Sequence, residues 1–345
     1  MRPLSLSFVA LLAWVTACSS SESRPRLSET GDGGQGGVAG GAAGSGHGGA
    51  PTQGGLPTSC REPAPTCGTP DFGECCGIAA IPGGSFVRGA HAAEKSVWSG
   101  PAPATVSPFG MDVYEITVGR FRRFVEAYPT SRPSPGSGAH AKHPDSGWRD
   151  SWPLPADQPS LRAALVGTCG ETTTWTEAPA GNEHKPIICL TWYEMFAFCA
   201  WDGGRLPTEA EWEFAAVGGD EQRVYPWSSP PSSGVINEEN AVFEPSLGGN
   251  SVDPGPVGLK AKGRSRWGQA DLLGNAMEWT HDAYLGLIEP CVDCLRTTGS
   301  STRVARGGGS ASQGLYSEYR WEGLEFKNGA RLSIGGRCVR QPPFE

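Results

Sequence analysis

Glycine and proline interrupt this chain every few residues, 50 of the one and 30 of the other in 345 positions, and such spacing leaves no room for long regular elements. Three stretches still carry helix signals. Thr117 stands as an N-cap before Val118, Phe121, Phe124 and Val125 at helical spacing, and Pro129 ends the run. Thr191 and Glu194 form a capping box ahead of Trp192, Met195, Phe196 and Cys199 on one face, stopped by Asp202-Gly203-Gly204. Thr208 and Glu211 form a second box, opening a helix through Trp212 and Phe214 that ends at Gly218-Gly219. Strands must be short, as predicted at Gly84–Arg88, Thr105–Met111 and Arg303–Arg306. The fold class that follows is an irregular α+β domain with few helices and long loops, and no internal repeat is visible.

The N-terminal part is different in kind. A basic Met1-Arg2 precedes an apolar run from Leu4 to Val15, far short of the roughly 20 residues a membrane span needs and suited to a signal h-region. Small residues then lead to Cys18, in the manner of a bacterial lipobox, so residues 1–17 are expected to be a lipoprotein signal and Cys18 the lipidated residue. Residues 18–58 are dominated by Gly, Ser and Ala, a composition that cannot bury enough surface to fold and reads as a flexible tether. A Cys-rich segment, 59–77, and a folded domain, 78–345, complete the expected division. The expected location is the cell envelope, exported and held to the membrane by lipid. A net charge of -8 without a Lys/Arg cluster argues against nucleic acid as a partner.

Eleven cysteines minus Cys18 leave ten, an even number suited to an oxidising compartment. Cys60, Cys67, Cys75 and Cys76 allow three pairings, and the sequence does not choose among them. Cys291-Val-Asp-Cys294 lacks the second ligand pair of a zinc site and the surrounding βαβ pattern of a redox motif, so it reads as a local disulfide.

Distinctive blocks run in order along the domain: Ile81–Gly89, Met111–Val118, His184-Lys-Pro186, Thr191-Trp192, Cys199-Ala-Trp201 and Arg205-Leu-Pro-Thr-Glu-Ala-Glu-Trp-Glu-Phe-Ala215. Tyr225-Pro-Trp227, Pro256-Val-Gly258, Gly268–Trp279, Arg303–Gly308 and Gly335–Cys338 follow. This ordered set, spanning Ile81 to Arg340, resembles the formylglycine-generating (sulfatase-modifying factor) family. It implies a compact C-type-lectin-like fold rich in buried aromatics, with Trp192, Trp201, Trp212, Trp227 and Trp279 in core packing. It also implies a Cys199–Cys338 disulfide, which leaves Cys169–Cys189 and Cys291–Cys294 as the other core pairs. Glu209, Glu211 and Glu213 read as first-turn carboxylates favoured by the helix dipole, not as an acid pair.

Two metals enter with the resemblance. Calcium is implied at Asp271, the carbonyls of Gly274 and Ala276, and Glu278, an oxygen-rich turn suited to a hard cation. A second calcium site maps onto Asn240, Ala241 and Asp253. Copper is where the sequence departs from the family. Its enzymes oxidise a substrate cysteine with two Cu(I)-holding cysteines beyond the Arg-Gly-Gly block, and those places fall here on Ser312 and Ser317. A hydroxyl does not replace a thiolate as a soft ligand, and no cysteine lies between Arg306 and Arg337. His140 and His143 form a weak metal pair, His281-Asp282 reads as a generic polar pair, and Arg306-Gly-Gly lacks the features of a phosphate loop.

Three functions compete: a binding or structural module for a protein or glycan ligand with the oxidase chemistry lost, a divergent oxidoreductase using the same cleft, and a true formylglycine generator with cysteines recruited from elsewhere. The two serines weigh against the third, and the first is the expectation.

Overall fold

The computed structural model describes residues 56–61, 75–90, 101–166, 169, 173–243, 253–309, 321–323 and 333–342. Cys18, nearly all of the glycine-rich segment, Cys67, Ser312 and Ser317 lie outside them.

The three helix signals become three helices. Thr117 caps α1 (Val118–Glu126) by accepting the Arg120 N–H. Both capping boxes close, Thr191 with Glu194 on α3 (Trp192–Trp201) and Thr208 with Glu211 on α4 (Glu209–Ala216). A fourth helix, α2 (Gln158–Leu165), is capped by Asp157 and was hidden by Pro159, which sits harmlessly in its first turn. Instead of one apolar face, α3 buries Trp192, Glu194 and every residue from Met195 to Cys199, the pattern of a helix inside the core.

Among the described residues, ten short strands make three sheets. β1 (Ile78–Ile81), β4 (Phe109–Asp112) and β10 (Val339–Arg340) form one, in the order β1-β4-β10 and antiparallel throughout. β2 (Gly84–Arg88), β3 (Ala102–Val106) and β6 (Cys291–Val292) form the second. The third has the order β8-β7-β5-β9, from β8 (Trp321–Gly323), β7 (Arg303–Arg306), β5 (Met277–Ala283) and β9 (Ile334–Gly335). β2 and β7 match expectation, but the predicted strand Thr105–Met111 is two strands in different sheets. The break comes at Ser107-Pro108, where the Ser107 N–H and Oγ both donate to the Asp293 carboxylate, at 2.6 and 2.7 Å. Gly83 lies against this corner with φ +70°, and a Cβ there would come within 2.5 Å of the Val106 carbonyl.

Aromatic side chains fill the interior in two clusters. One gathers Phe121, Phe124, Trp192, Phe196, Phe198 and Trp279 around α1 and α3; the other gathers Phe86, Phe109, Trp212 and Phe214 around α4. Trp201 and Trp227 are only half-buried at the edges of these clusters. Disulfides join Cys199 to Cys338, Cys169 to Cys189 and Cys291 to Cys294. Of the N-terminal cysteines, Cys60 pairs with Cys76, and Cys75 is also disulfide-bonded.

The α4 carboxylates keep their expected place at the helix start and gain partners. Glu209, Glu211 and Glu213 are buried, and each meets an arginine: Glu211 meets Arg205 at 2.6 Å, Glu213 meets Arg306 at 2.6 Å and Glu209 meets Arg88 at 2.9 Å. Glu209 and Glu211 stand in the first turn, and all three are also members of internal ion pairs. A second knot ties the chain's distant parts together: Arg120 and Arg340 share Asp112 and Asp202. Asp112, Asp202 and Cys338 converge closely enough to suggest a metal, but both carboxylates are held by arginine and Cys338 is in a disulfide.

Candidate functional site

The turn from Asp271 to Glu278 is fastened from several distant parts of the chain. Asp271, Gly274 and Asn275 all have positive φ, at 56°, 84° and 57°, which coils the backbone tightly ahead of β5. Asn275 is its strap. Its N–H donates to the Val242 carbonyl at 2.8 Å, its Oδ1 accepts the Gly255 N–H at 2.8 Å, and its Nδ2 donates to Glu115 at 2.6 Å. Glu115 also accepts the Ala276 N–H at 2.8 Å. Gly307, from the Arg-Gly-Gly block, lies so close that a Cβ would meet the Leu272 carbonyl at 2.9 Å.

Glu278 differs from expectation. It is fully buried, and its two oxygens accept from Arg337 Nη2 at 2.6 Å, Arg337 Nε at 2.9 and 3.0 Å, and Trp212 Nε1 at 2.9 Å. Three N–H donors on about four lone-pair sites leave little for a cation, so Glu278 does not fit as a calcium ligand; it is the anion of an internal ion pair. Asp271 fits better. Its Oδ2 accepts the Gly258 N–H, and no arginine pairs with it as Arg337 pairs with Glu278 among the described residues.

The charge balance of this region is lopsided. Glu115, Asp271 and Glu278 are buried carboxylates influencing one another, and Arg337 is the buried cation among them. Burial first, then the charges of Asp271 and Glu278, holds the Glu115 carboxyl well above the usual carboxylate range. Burial likewise pushes Asp271 up to about 6, against the opposing pull of the Gly258 N–H and Arg337. A cation beside Asp271 and Glu115 would relieve this, as would protons. Neither Glu115 nor Arg337 was picked out from the sequence, because each sits in a block whose spacing announces only a strand.

The second mapped calcium set is partly assembled. Asn240 donates to the Lys262 carbonyl at 3.1 Å, Ala241 is buried, and Asp253 is exposed with Lys185 at 3.9 Å. The two arms that carry these residues, at Val242 and Gly255, are both held by Asn275.

Thiols for copper are absent from what is described: all nine described cysteines are disulfide-bonded, so they do not fit a Cu(I) site. Arg306 is buried against Glu213 and stacks over Trp212, which makes its block a structural seat for the Asp271–Glu278 turn. His140 and His143 lie side by side, with ring centroids 5.2 Å apart, and each has one nitrogen in a hydrogen bond to the protein. The Lys142 N–H donates to His140 Nδ1 at 3.1 Å, and His143 Nε2 faces the Asp293 carbonyl at 2.8 Å. Burial, then the Arg205 charge, lowers His140 to about 4.

His281 and Asp282 are not a generic polar pair; both are buried. Asp282 accepts the Glu209 N–H at the start of α4 at 2.8 Å and the Arg296 N–H at 3.0 Å. Burial, then the Glu209 charge, pushes its carboxyl up to about 6 from an ordinary 3.8. A group that titrates higher when folded holds more protons across that window. Its stabilising effect is complete below about 3.8 and is lost as the pH rises through 6. Glu115 and Asp271 act in the same direction, while the lowered pKa values of His140 and His281 act in the opposite one, so the share of Asp282 is read by comparing the pH dependence of urea unfolding in a variant with that of the wild type. Asp282→Asn should show a less negative slope of stability with pH than the wild type between about pH 4 and 6. A slope identical in the variant would refute this role for Asp282.

Residues 68–342 match the family described as the sulfatase-modifying factor enzyme 1-like domain. The chain is 30% identical over 251 residues to the inactive C-alpha-formylglycine-generating enzyme 2 of Mus musculus, covering 67% of this chain and 76% of that one. It is 32% identical over 212 residues to the hercynine oxygenase of Mycolicibacterium smegmatis, covering 58% of this chain but only 44% of the relative. Among solved structures, PvdO from Pseudomonas aeruginosa superposes with a TM-score of 0.54 at 18% identity, covering 79% of this chain and 97% of that one, a likeness of fold.

Proposed function

The chain belongs to the sulfatase-modifying factor enzyme 1-like domain family, and on that premise we propose that it is an exported, lipid-anchored binding or structural module of the formylglycine-generating-enzyme fold that lacks formylglycine-generating activity. One observation carries the reading. No thiol is free among the described residues, and the positions that hold the family's copper-binding cysteines fall on Ser312 and Ser317. Without thiolates the soft ligand set for Cu(I) is missing. Likeness to a relative named as inactive supports the same reading.

The test is direct. The wild-type domain, given Cu(I), oxygen, a reductant and a Cys-X-Pro-X-Arg peptide, should yield no formylglycine above a no-enzyme control by mass spectrometry. Turnover above that control would overturn the proposal.

Calcium belongs to the proposal as a stabilising ion, held by Asp271 with the carbonyls of Gly274 and Ala276, and at a second site by Asn240, Ala241 and Asp253. What supports it is the surplus of buried carboxylate around Asp271. Lipidation at Cys18 is the remaining part, and it rests on the sequence before that residue. Cys18→Ala should release the protein from the membrane fraction into the soluble one. A variant that still sediments with membranes would remove the anchor from this picture.

A second reading, an oxidoreductase acting on a different substrate, is favoured by the likeness to hercynine oxygenase. Metal content separates the two: stoichiometric iron in the purified protein would support the oxidoreductase, and calcium alone the module.

A further inference from the structure

The disulfides differ in how far a reagent can reach them. All nine described cysteines are bonded, eight of them are buried, and Cys169 alone is half-buried. Thiol–disulfide exchange needs a thiolate to attack one sulfur of the bond, so reach decides which bond opens first. Of the bonds described, Cys169–Cys189 is the one that offers an accessible sulfur, and its other end, Cys189, is fully buried.

Cys189 is unusual in its backbone as well. Its φ of 68° lies in the left-handed region, which a residue with a Cβ occupies at a cost and glycine occupies freely. The residues around it are held in place. Ile187 donates its N–H to the Ile116 carbonyl at 2.8 Å, Ile188 to Thr174 Oγ1 at 3.2 Å and Leu190 to the Ile334 carbonyl at 3.3 Å. The Leu190 carbonyl accepts from Trp279 Nε1 at 3.0 Å. The disulfide is the covalent part of this hold. With it cut, Cys189 is the residue that gains by returning to negative φ.

What Cys189 rests against gives that movement a consequence. It packs with Ile188 and Ala276 in one small buried cluster, with Cys169 at the edge. Ala276 belongs to the Asp271–Glu278 turn, its N–H donates to Glu115 at 2.8 Å, and its carbonyl is one of the oxygens proposed for calcium. Ile116, which accepts from Ile187, follows Glu115 directly in the chain. A turn of the backbone at Cys189 therefore disturbs the cation site through Ala276 and through Glu115 together.

We propose that the Cys169–Cys189 disulfide is a redox latch on the calcium site: closed, it keeps Cys189 left-handed and Ala276 in place, and opened by a dithiol, it loosens the turn and weakens the hold on the ion. The exchange balances. One thiolate of the dithiol attacks Cys169 Sγ, the Sγ–Sγ bond breaks, and Cys189 leaves as a thiolate that takes a proton. The second thiol of the dithiol then attacks the mixed disulfide, Cys169 is released as a thiol, and the dithiol ends as a disulfide, oxidised by two electrons. This inference rests on the calcium reading above and adds what regulates it.

Two measurements on the full chain test it. Brief treatment with dithiothreitol, then alkylation and peptide mapping, should label Cys169 and Cys189 ahead of Cys199, Cys338, Cys291 and Cys294. Earlier labelling of any of those four would overturn the latch. Calorimetric titration with calcium should then find about tenfold weaker binding in Cys169→Ser than in the oxidised wild type. Cys169→Ser/Cys189→Gly should recover most of that loss, because glycine keeps the left-handed backbone without the bond. A wild type that binds no calcium would defeat the calcium reading and this inference with it. Wild-type binding with unchanged affinity in Cys169→Ser would defeat this inference alone, as would a double variant as weak as the single.

Discussion

Arg337→Met should destabilise the domain by about 3–5 kcal/mol, the cost typical of removing one partner from a buried ion pair. Arg337 is fully buried and holds Glu278 with three hydrogen bonds while also donating to the carbonyls of Asp112, Val113 and Ala270. Without it, Glu115, Asp271 and Glu278 would be left in one region with their buried cation gone. The double variant Arg337→Met/Glu278→Gln should recover part of the loss, because it removes one of the stranded charges. Denaturant unfolding of both singles and the double gives the coupling between them. A single-variant loss below about 1 kcal/mol would mean the pair is not what stabilises this turn.

Removal of the proposed calcium should have the second large effect. An ion that binds only the folded domain contributes about 4 kcal/mol when its concentration is a thousandfold above the dissociation constant. For a domain of this size that corresponds to a drop on the order of 10 °C in melting temperature when the ion is chelated. Asp271→Ala should abolish the sensitivity. Glu278→Gln should destabilise yet keep it, because Glu278 faces Arg337 rather than the ion. Melts that coincide with and without chelator, at matched ionic strength, would remove calcium from the account of this fold.

Local chemistry made much of the fold legible. Thr117, and the Thr191–Glu194 and Thr208–Glu211 boxes, declare helix starts because a side-chain oxygen there has one good use, and all three do so in the structure. What could not be read was the partner of each buried charge. Glu209, Glu211 and Glu213 look like first-turn acids in any sequence window, and only the tertiary fold brings Arg88 and Arg306 to them from more than 90 residues away. The same holds at the candidate site. Asp271 and Glu278 are visible as an acidic turn, but Glu115 lies 160 residues from the Asn275 it holds and Arg337 lies 59 from Glu278. His281 reads with Asp282 as a generic polar pair because nothing in the sequence signals that both will be buried.

The way the first described residues join the domain has a mechanical consequence. Thr58–Cys60 pack on α1, Ser59 donates its N–H to Asp202 at 2.6 Å, and Arg120 Nε donates to Ser59 Oγ at 2.9 Å. The Cys60–Cys76 bond then bypasses the stretch between them, a sequence separation of 16. Tension arriving from upstream therefore passes from Cys60 across a covalent link to Cys76 and into β1, which begins two residues later, without unravelling the intervening stretch. The same tension is shared sideways through Asp202 and Arg120 to Asp112 on β4, and Arg340 on β10 grips both carboxylates. A pull on one end of the chain is thus met at once by strands from both ends, so the domain should yield under force as one unit and abruptly rather than peel from its N-terminus.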